Sequence, residues 1–167
     1  MNIDYPDGTQ LSITKSFAAS PGAVFEAFTD PDLMETWIWG DNPANIKVES
    51  DPRVGGRWSA YIDAMEGDDS WPGDRWGMCG VYAVLDAPTK VVYTLHWDAP
   101  VGYNLGDNVG MLTDEAVVVD ITPTPEGCEV VFRHIGVPDD GISVGEHAKG
   151  IAETFKTLER RLTEAHA

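Results

Sequence analysis

The apolar residues of the stretch 142–165 fall at Val144, Ala148, Ile151, Phe155, Leu158, Leu162 and Ala165, in alternating steps of four and three. That spacing draws one continuous stripe along an amphipathic helix of about six turns. Glu146, Lys149, Glu153, Lys156, Glu159, Arg160 and Glu164 occupy the opposite face. A coiled-coil seam is the other way to bury such a stripe, but its Ala and Gly interruptions make a weak zipper. The helix is therefore expected to lie across a sheet.

Upstream, the period changes to two. In 10–17 (QLSITKSF), Leu11, Ile13 and Phe17 alternate with Ser12, Thr14 and Ser16, the pattern of a half-buried strand. Ser20 followed by Pro21 reads as an N-cap and first helical position, with Val24, Phe25 and Phe28 as the apolar face. Asp30-Pro31 ends that helix and starts a second short one over 31–37. Further strands are predicted at 45–50, 56–65, 75–86, 90–97, 112–122 and 128–135, the last two pairing across PTPEG. The expected fold is α+β. It consists of a curved antiparallel sheet of about seven strands, two short helices and a long C-terminal helix, in a single domain over 1–167. A curled sheet gripped by one helix cannot close tightly at both ends, so a cavity between them follows.

Alternation assigns faces within the strands. Val117, Val119 and Ile121 point inward, as do Trp58, Ala60 and Ile62, and as do Cys128, Val130, Phe132 and His134. In 90–97 the larger side chains, Tyr93 among them, share the inner face, which leaves His96 outside. The run 78–84 is apolar on both faces, and Met78, Gly80 and Tyr82 are placed inside. His147 sits at the border of the helix stripe, and His166 is terminal.

Composition narrows the partners. With 28 acidic against 11 basic residues the formal charge is −17, a field that repels nucleic acid and anionic lipid. A solubility or salt-adaptation feature is the simplest meaning of that charge, and a preference for neutral or cationic ligands is the narrower one. No apolar run is long enough to span a membrane, and the N-terminus lacks a signal-peptide pattern. Cys79 and Cys128 show no metal-type spacing and are expected to be reduced core thiols of a cytoplasmic protein.

The string ITKSFAASPGAVFEAFTDPDLMETW, the turn DPRVGGRW and the run WGMCGVYAVLDAPTKVVYTLHW together resemble the activator of heat-shock protein 90 ATPase homologue-like family of the START-like (SRPBCC) superfamily. The pattern is carried by Ile13, Pro21, Val24, Phe25, Asp30, Pro31, Trp37, Gly55, Gly56, Trp58, Gly80 and Pro88. Two features depart from it. Ile151 follows Gly150 where the family usually has Trp, and the loop 98–110 looks longer than usual. The resemblance implies a helix-grip fold enclosing a hydrophobic cavity. It also implies three classes of function: small-molecule binding, polyketide cyclase or aromatase chemistry, or service as a chaperone-ATPase-interacting module. The chaperone-activating members are larger and carry an added N-terminal region, so that last alternative ranks behind the other two.

A hydrophobic or aromatic ligand in this cavity would be lined by Trp37, Trp58, Tyr82, Tyr93, Phe132, His134, Ile151 and Phe155. Tyr82, Tyr93 and His134 are its polar anchors. An enzyme of the cyclase kind would use His134 with Tyr93 or Tyr82 as acid–base pair, since imidazole titrates near neutrality. A histidine satisfied by a backbone carbonyl at a strand end is the structural alternative for His134. Trp39, Trp71, Trp76, Trp97 and Tyr103 lie in or beside loops, where they suit a pocket rim or plain packing. Gly102, Gly106 and Gly110 would let their loop act as a lid. No nucleophile elbow or phosphate loop occurs, and the four histidines have no metal-ligand spacing, so neither metal nor cofactor is expected. Oligomeric state is left open.

Overall fold

A computed structural model describes residues 1–41, 46–63, 75–98 and 115–164. Among the described residues, eight strands run in the order β1 (Asn2–Asp7), β2 (Gln10–Phe17), β3 (Ile46–Ser50), β4 (Arg57–Asp63), β5 (Arg75–Asp86), β6 (Lys90–Asp98), β7 (Glu115–Thr124) and β8 (Gly127–Ile135). Helices α1 (Pro21–Ala27) and α2 (Pro31–Met34) follow β2, and α3 (Ser143–Glu164) closes the chain. The strands form one antiparallel sheet in the spatial order β1-β2-β8-β7-β6-β5-β4-β3. This is the helix-grip architecture.

The sheet has one strand more than the expected seven. β1 escapes pattern reading because it is an edge strand, almost wholly exposed and carrying Pro6, and so shows no apolar alternation. The second short helix is also shorter than 31–37. It stops at Met34, and the chain continues through hydrogen-bonded turns that place Trp37, Ile38 and Trp39.

Local chemistry explains the two helix starts. Ser20 Oγ accepts from the Ala23 amide at 3.2 Å with Pro21 next in line, and Asp30 Oδ1 accepts from the Leu33 amide at 3.0 Å ahead of Pro31. Helix α2 packs on β3 and α1 against β7, while α3 lies against β2 and touches α1. Phe155 of α3 joins the layers: its ring centroid stands 5.9 Å from Phe17, 5.4 Å from Phe132 and 6.4 Å from Phe28, each edge-on. Lys15 of β2 reaches Glu159 at 2.8 Å, and Arg160 pairs with Asp41, so both flanks of α3 are tied down.

The inner-face residues expected from alternation are buried: Trp58, Ala60, Ile62, Val117, Val119, Ile121, Cys128, Val130, Phe132 and His134. His96 is exposed, as parity requires. Cys128 is buried, Cys79 only half-buried, and neither is in a disulfide. Trp71, Tyr103 and the lid glycines Gly102, Gly106 and Gly110 lie outside the described residues. No helix among the described residues is long and apolar enough to cross a membrane.

Candidate functional site

A cavity of about 430 Å³ opens between the sheet and the N-terminal half of α3. Its walls come from the turn after α2 (Trp37, Trp39), from β5 and β6 (Met78, Tyr93, Leu95, Trp97), from β7 and β8 (Val117, Phe132, His134) and from α3 (His147, Ile151, Phe155). The lining is overwhelmingly apolar and aromatic. Trp39 and Trp97 pack edge-on at 6.0 Å, and Trp97 meets the His147 ring at 5.9 Å, so three rings form one wall.

Of the residues expected at the ligand, Trp37, Tyr93, Phe132, His134, Ile151 and Phe155 lie on the wall. Trp58 and Tyr82 do not. The α1–α2 corner fills the space above Tyr82, whose hydroxyl lies 3.4 Å from the Phe28 carbonyl and 3.0 Å from Ser50 Oγ. Ser50 itself donates to the Thr29 carbonyl at 2.6 Å, so Tyr82 is the donor to Ser50. That network fastens the corner to the sheet and leaves Tyr82 no reach to a ligand. Trp58 is one layer deeper, its indole N–H donating to the Thr94 carbonyl at 3.0 Å and its ring 5.0 Å from Tyr93. It supports the wall from behind. Burial pushes the Tyr93 phenol far above its ordinary range, with Tyr82 adding to the shift, so the phenol stays un-ionised at neutral pH.

His134 points inward from β8 beside Phe132, at 2% exposure. Its partner is neither the backbone carbonyl nor the tyrosine considered from sequence. Directly opposite on β7 stands Val117, and one pleat further along the same face is Glu115, whose carboxylate touches the His134 ring at Nε2. From the first turns of α3, His147 brings its Nε2 to 3.7 Å from the same carboxylate oxygen, and the two imidazole centroids are 5.1 Å apart. His147 is held by its other nitrogen, 2.7 Å from the Ser143 carbonyl. Burial chiefly, and the neighbouring His134, lower the His147 pKa below its usual value, against the opposing pull of Glu115.

Ser143 is in turn positioned by Asp140, whose carboxylate accepts from the Ser143 hydroxyl at 2.6 Å and from the Ser143 and Ile142 amides at 2.7 and 2.8 Å. Those bonds hold the Asp140 carboxyl down at about 2. The site is thus a largely apolar, aromatic chamber in which His134 and His147 stand on the wall with Glu115 buried behind them, while Ser143, Glu146, Glu153 and Thr154 add polar atoms along α3. Sequence reasoning assigned no role to Glu115 or to His147. The available signals were the shared parity of Glu115 with Val117 and the border position of His147 on the helix stripe.

No curated protein is significantly similar in sequence. Solved structures are similar throughout. A protein of Rhodobacter sphaeroides superposes with a TM-score of 0.76 at 18% identity, covering 98% of this chain and 97% of that one. A protein of Chromobacterium violaceum gives 0.73 at 22% identity over 91% and 96% of the two chains. A protein of Aeromonas hydrophila described as AHSA1-like gives 0.69 at 18% identity over 94% of each. Identities this low speak to fold alone. The family model described as activator of Hsp90 ATPase homolog 1-like protein matches residues 18–163. The chain therefore belongs to the activator of Hsp90 ATPase homolog 1-like family, on a START-like fold of the ligand-binding type.

Proposed function

We propose that this protein binds one hydrophobic or aromatic small molecule in the chamber between sheet and α3, with its polar atom directed at the Glu115–His134–His147 end. The observation that supports the reading is the chamber itself. At about 430 Å³ it falls in the size range of small-molecule sites, and its wall is chiefly apolar and aromatic, with the His134–His147 pair among its few polar groups. Flat apolar rings supply contact area, while that pair orients the ligand and discriminates against molecules without a matching oxygen or nitrogen.

Ile151 offers the test. It lies on the wall at the position after Gly150, and an indole in its place would occupy the chamber from the α3 side. A neutral apolar dye such as N-phenyl-1-naphthylamine fluoresces on leaving water for an apolar chamber. The expected result is saturable enhancement with the native chain and a loss of affinity of about tenfold or more with Ile151→Trp, at unchanged circular dichroism. Equal dye binding by both proteins would move the binding site elsewhere and overturn the reading.

A further inference from the structure

Glu115, His134 and His147 present one carboxylate oxygen and two imidazole nitrogens, all within 4.8 Å of one another. Glu115 and His134 are each 2% exposed, and the His147 side chain is 10% exposed. Neither carboxylate oxygen of Glu115 accepts a hydrogen bond of sound geometry, and neither ring nitrogen of His134 makes one, although the two side chains touch. A buried carboxylate left in that condition is costly.

The orientation of His147 is the telling feature. The Ser143 carbonyl can only accept, so Nδ1 carries the ring proton and Nε2 the lone pair. That lone pair faces Glu115 Oε2 at 3.7 Å with no hydrogen-bond partner of its own. Two electron-rich atoms aimed at each other in a buried site repel unless a proton or a metal ion stands between them, and a metal ion serves all three side chains at once. An imidazole that donates one ring N–H to a backbone carbonyl, leaving the lone pair of the other nitrogen free to ligate, is how metal-binding histidines are built.

We propose that Glu115, His134 and His147 form the binding site for one divalent transition-metal ion of the class that accepts two imidazoles and a carboxylate, such as zinc, cobalt or iron(II). Around a tetrahedral ion with bonds of about 2.0–2.1 Å, ligand atoms stand about 3.3 Å apart. The His147–Glu115 separation of 3.7 Å is close to that spacing. The His134–Glu115 contact is tighter, so the carboxylate turns away from His134 as the ion enters. Both imidazoles are on the chamber wall, so the remaining coordination positions face the chamber. Three protein ligands with an open position are the arrangement of metal sites that act on a bound molecule, where the ion polarises an oxygen of the ligand. The spacing escapes motif reading because β7, β8 and α3 contribute one ligand each.

The test uses the metal ion alone, so its failure leaves the apolar-ligand reading standing. Chelator-stripped full-length protein is titrated with Co²⁺ and Zn²⁺ by calorimetry, and the visible spectrum of the Co²⁺ form is recorded. The expected result is one ion held per chain by the site, with cobalt d–d bands of nitrogen and oxygen ligation. Affinity should fall by about tenfold or more in Glu115→Gln and in His147→Ala. His147 sits at the helix border, so His147→Ala provides a folded variant even if Glu115→Gln perturbs the core; circular dichroism checks both. Loose binding to the acidic surface appears equally in every variant. Identical titrations and spectra for native chain and His147→Ala would overturn the proposal and leave the three side chains as a proton-sharing cluster.

Discussion

A glycine on β5 shows how closely single atoms are fitted around the chamber. A Cβ added at Gly80 would stand 1.8 Å from the Thr94 carbonyl oxygen and 2.8 Å from Trp58 Nε1, the two atoms that form the hydrogen bond behind Tyr93. Gly80→Ala must displace backbone, and it should lower stability by about 1–3 kcal/mol in urea unfolding, as overpacked interiors do. An unchanged midpoint would contradict this packing. The sequence placed Gly80 on the inner face without revealing why glycine is needed, because the cause is a carbonyl on the neighbouring strand. Glu115 was hidden for the opposite reason. Its parity matches Val117, Val119 and Ile121, yet a carboxylate ordinarily ends an inner face instead of extending it. Only the arrival of His134 and His147 from two other elements gives it partners.

At the scale of elements, the start of α3 is set by Asp140, which gathers two backbone amides and a hydroxyl from Ile142 and Ser143. Its carboxyl is depressed to about 2 from an ordinary 3.8, so the ionised form is favoured by the folded chain. The stabilisation is present above the unfolded value and fades as pH falls through the folded one. Thermal melts from neutrality down to about pH 2 should show the native chain above Asp140→Ala, with the gap narrowing below about pH 4. A gap that stays constant over that range would mean the carboxylate charge contributes nothing. The long helix was legible because its stripe spans many turns, and β2 and β5 to β8 because strict alternation or β-branched runs mark them. β1 was not, since an exposed edge strand with a proline has no apolar face to read. The early end of α2 was equally illegible: tertiary packing of Trp37, whose indole donates to the Ala27 carbonyl at 2.9 Å, sets that turn.

For the whole molecule, one long helix gripping a curved sheet produces the chamber, and the side chains decide what it accepts. The inner-face alternation carried Phe132 and His134 onto the wall, and the helix stripe carried Ile151 and Phe155. It misjudged Trp58 and Tyr82, because parity says which face a side chain occupies and not which part of that face the short helices cover. On the proposed reading, an acidic exterior around an apolar chamber would favour neutral or cationic ligands with a large apolar body over anionic ones. The measurement that tests this account most directly is native mass spectrometry of the freshly purified chain, before and after incubation with neutral aromatic compounds. The account predicts one added small-molecule mass per chain, lost on denaturation and prevented by Ile151→Trp. A chain that stays at its bare mass throughout, with the native fold intact, would contradict it.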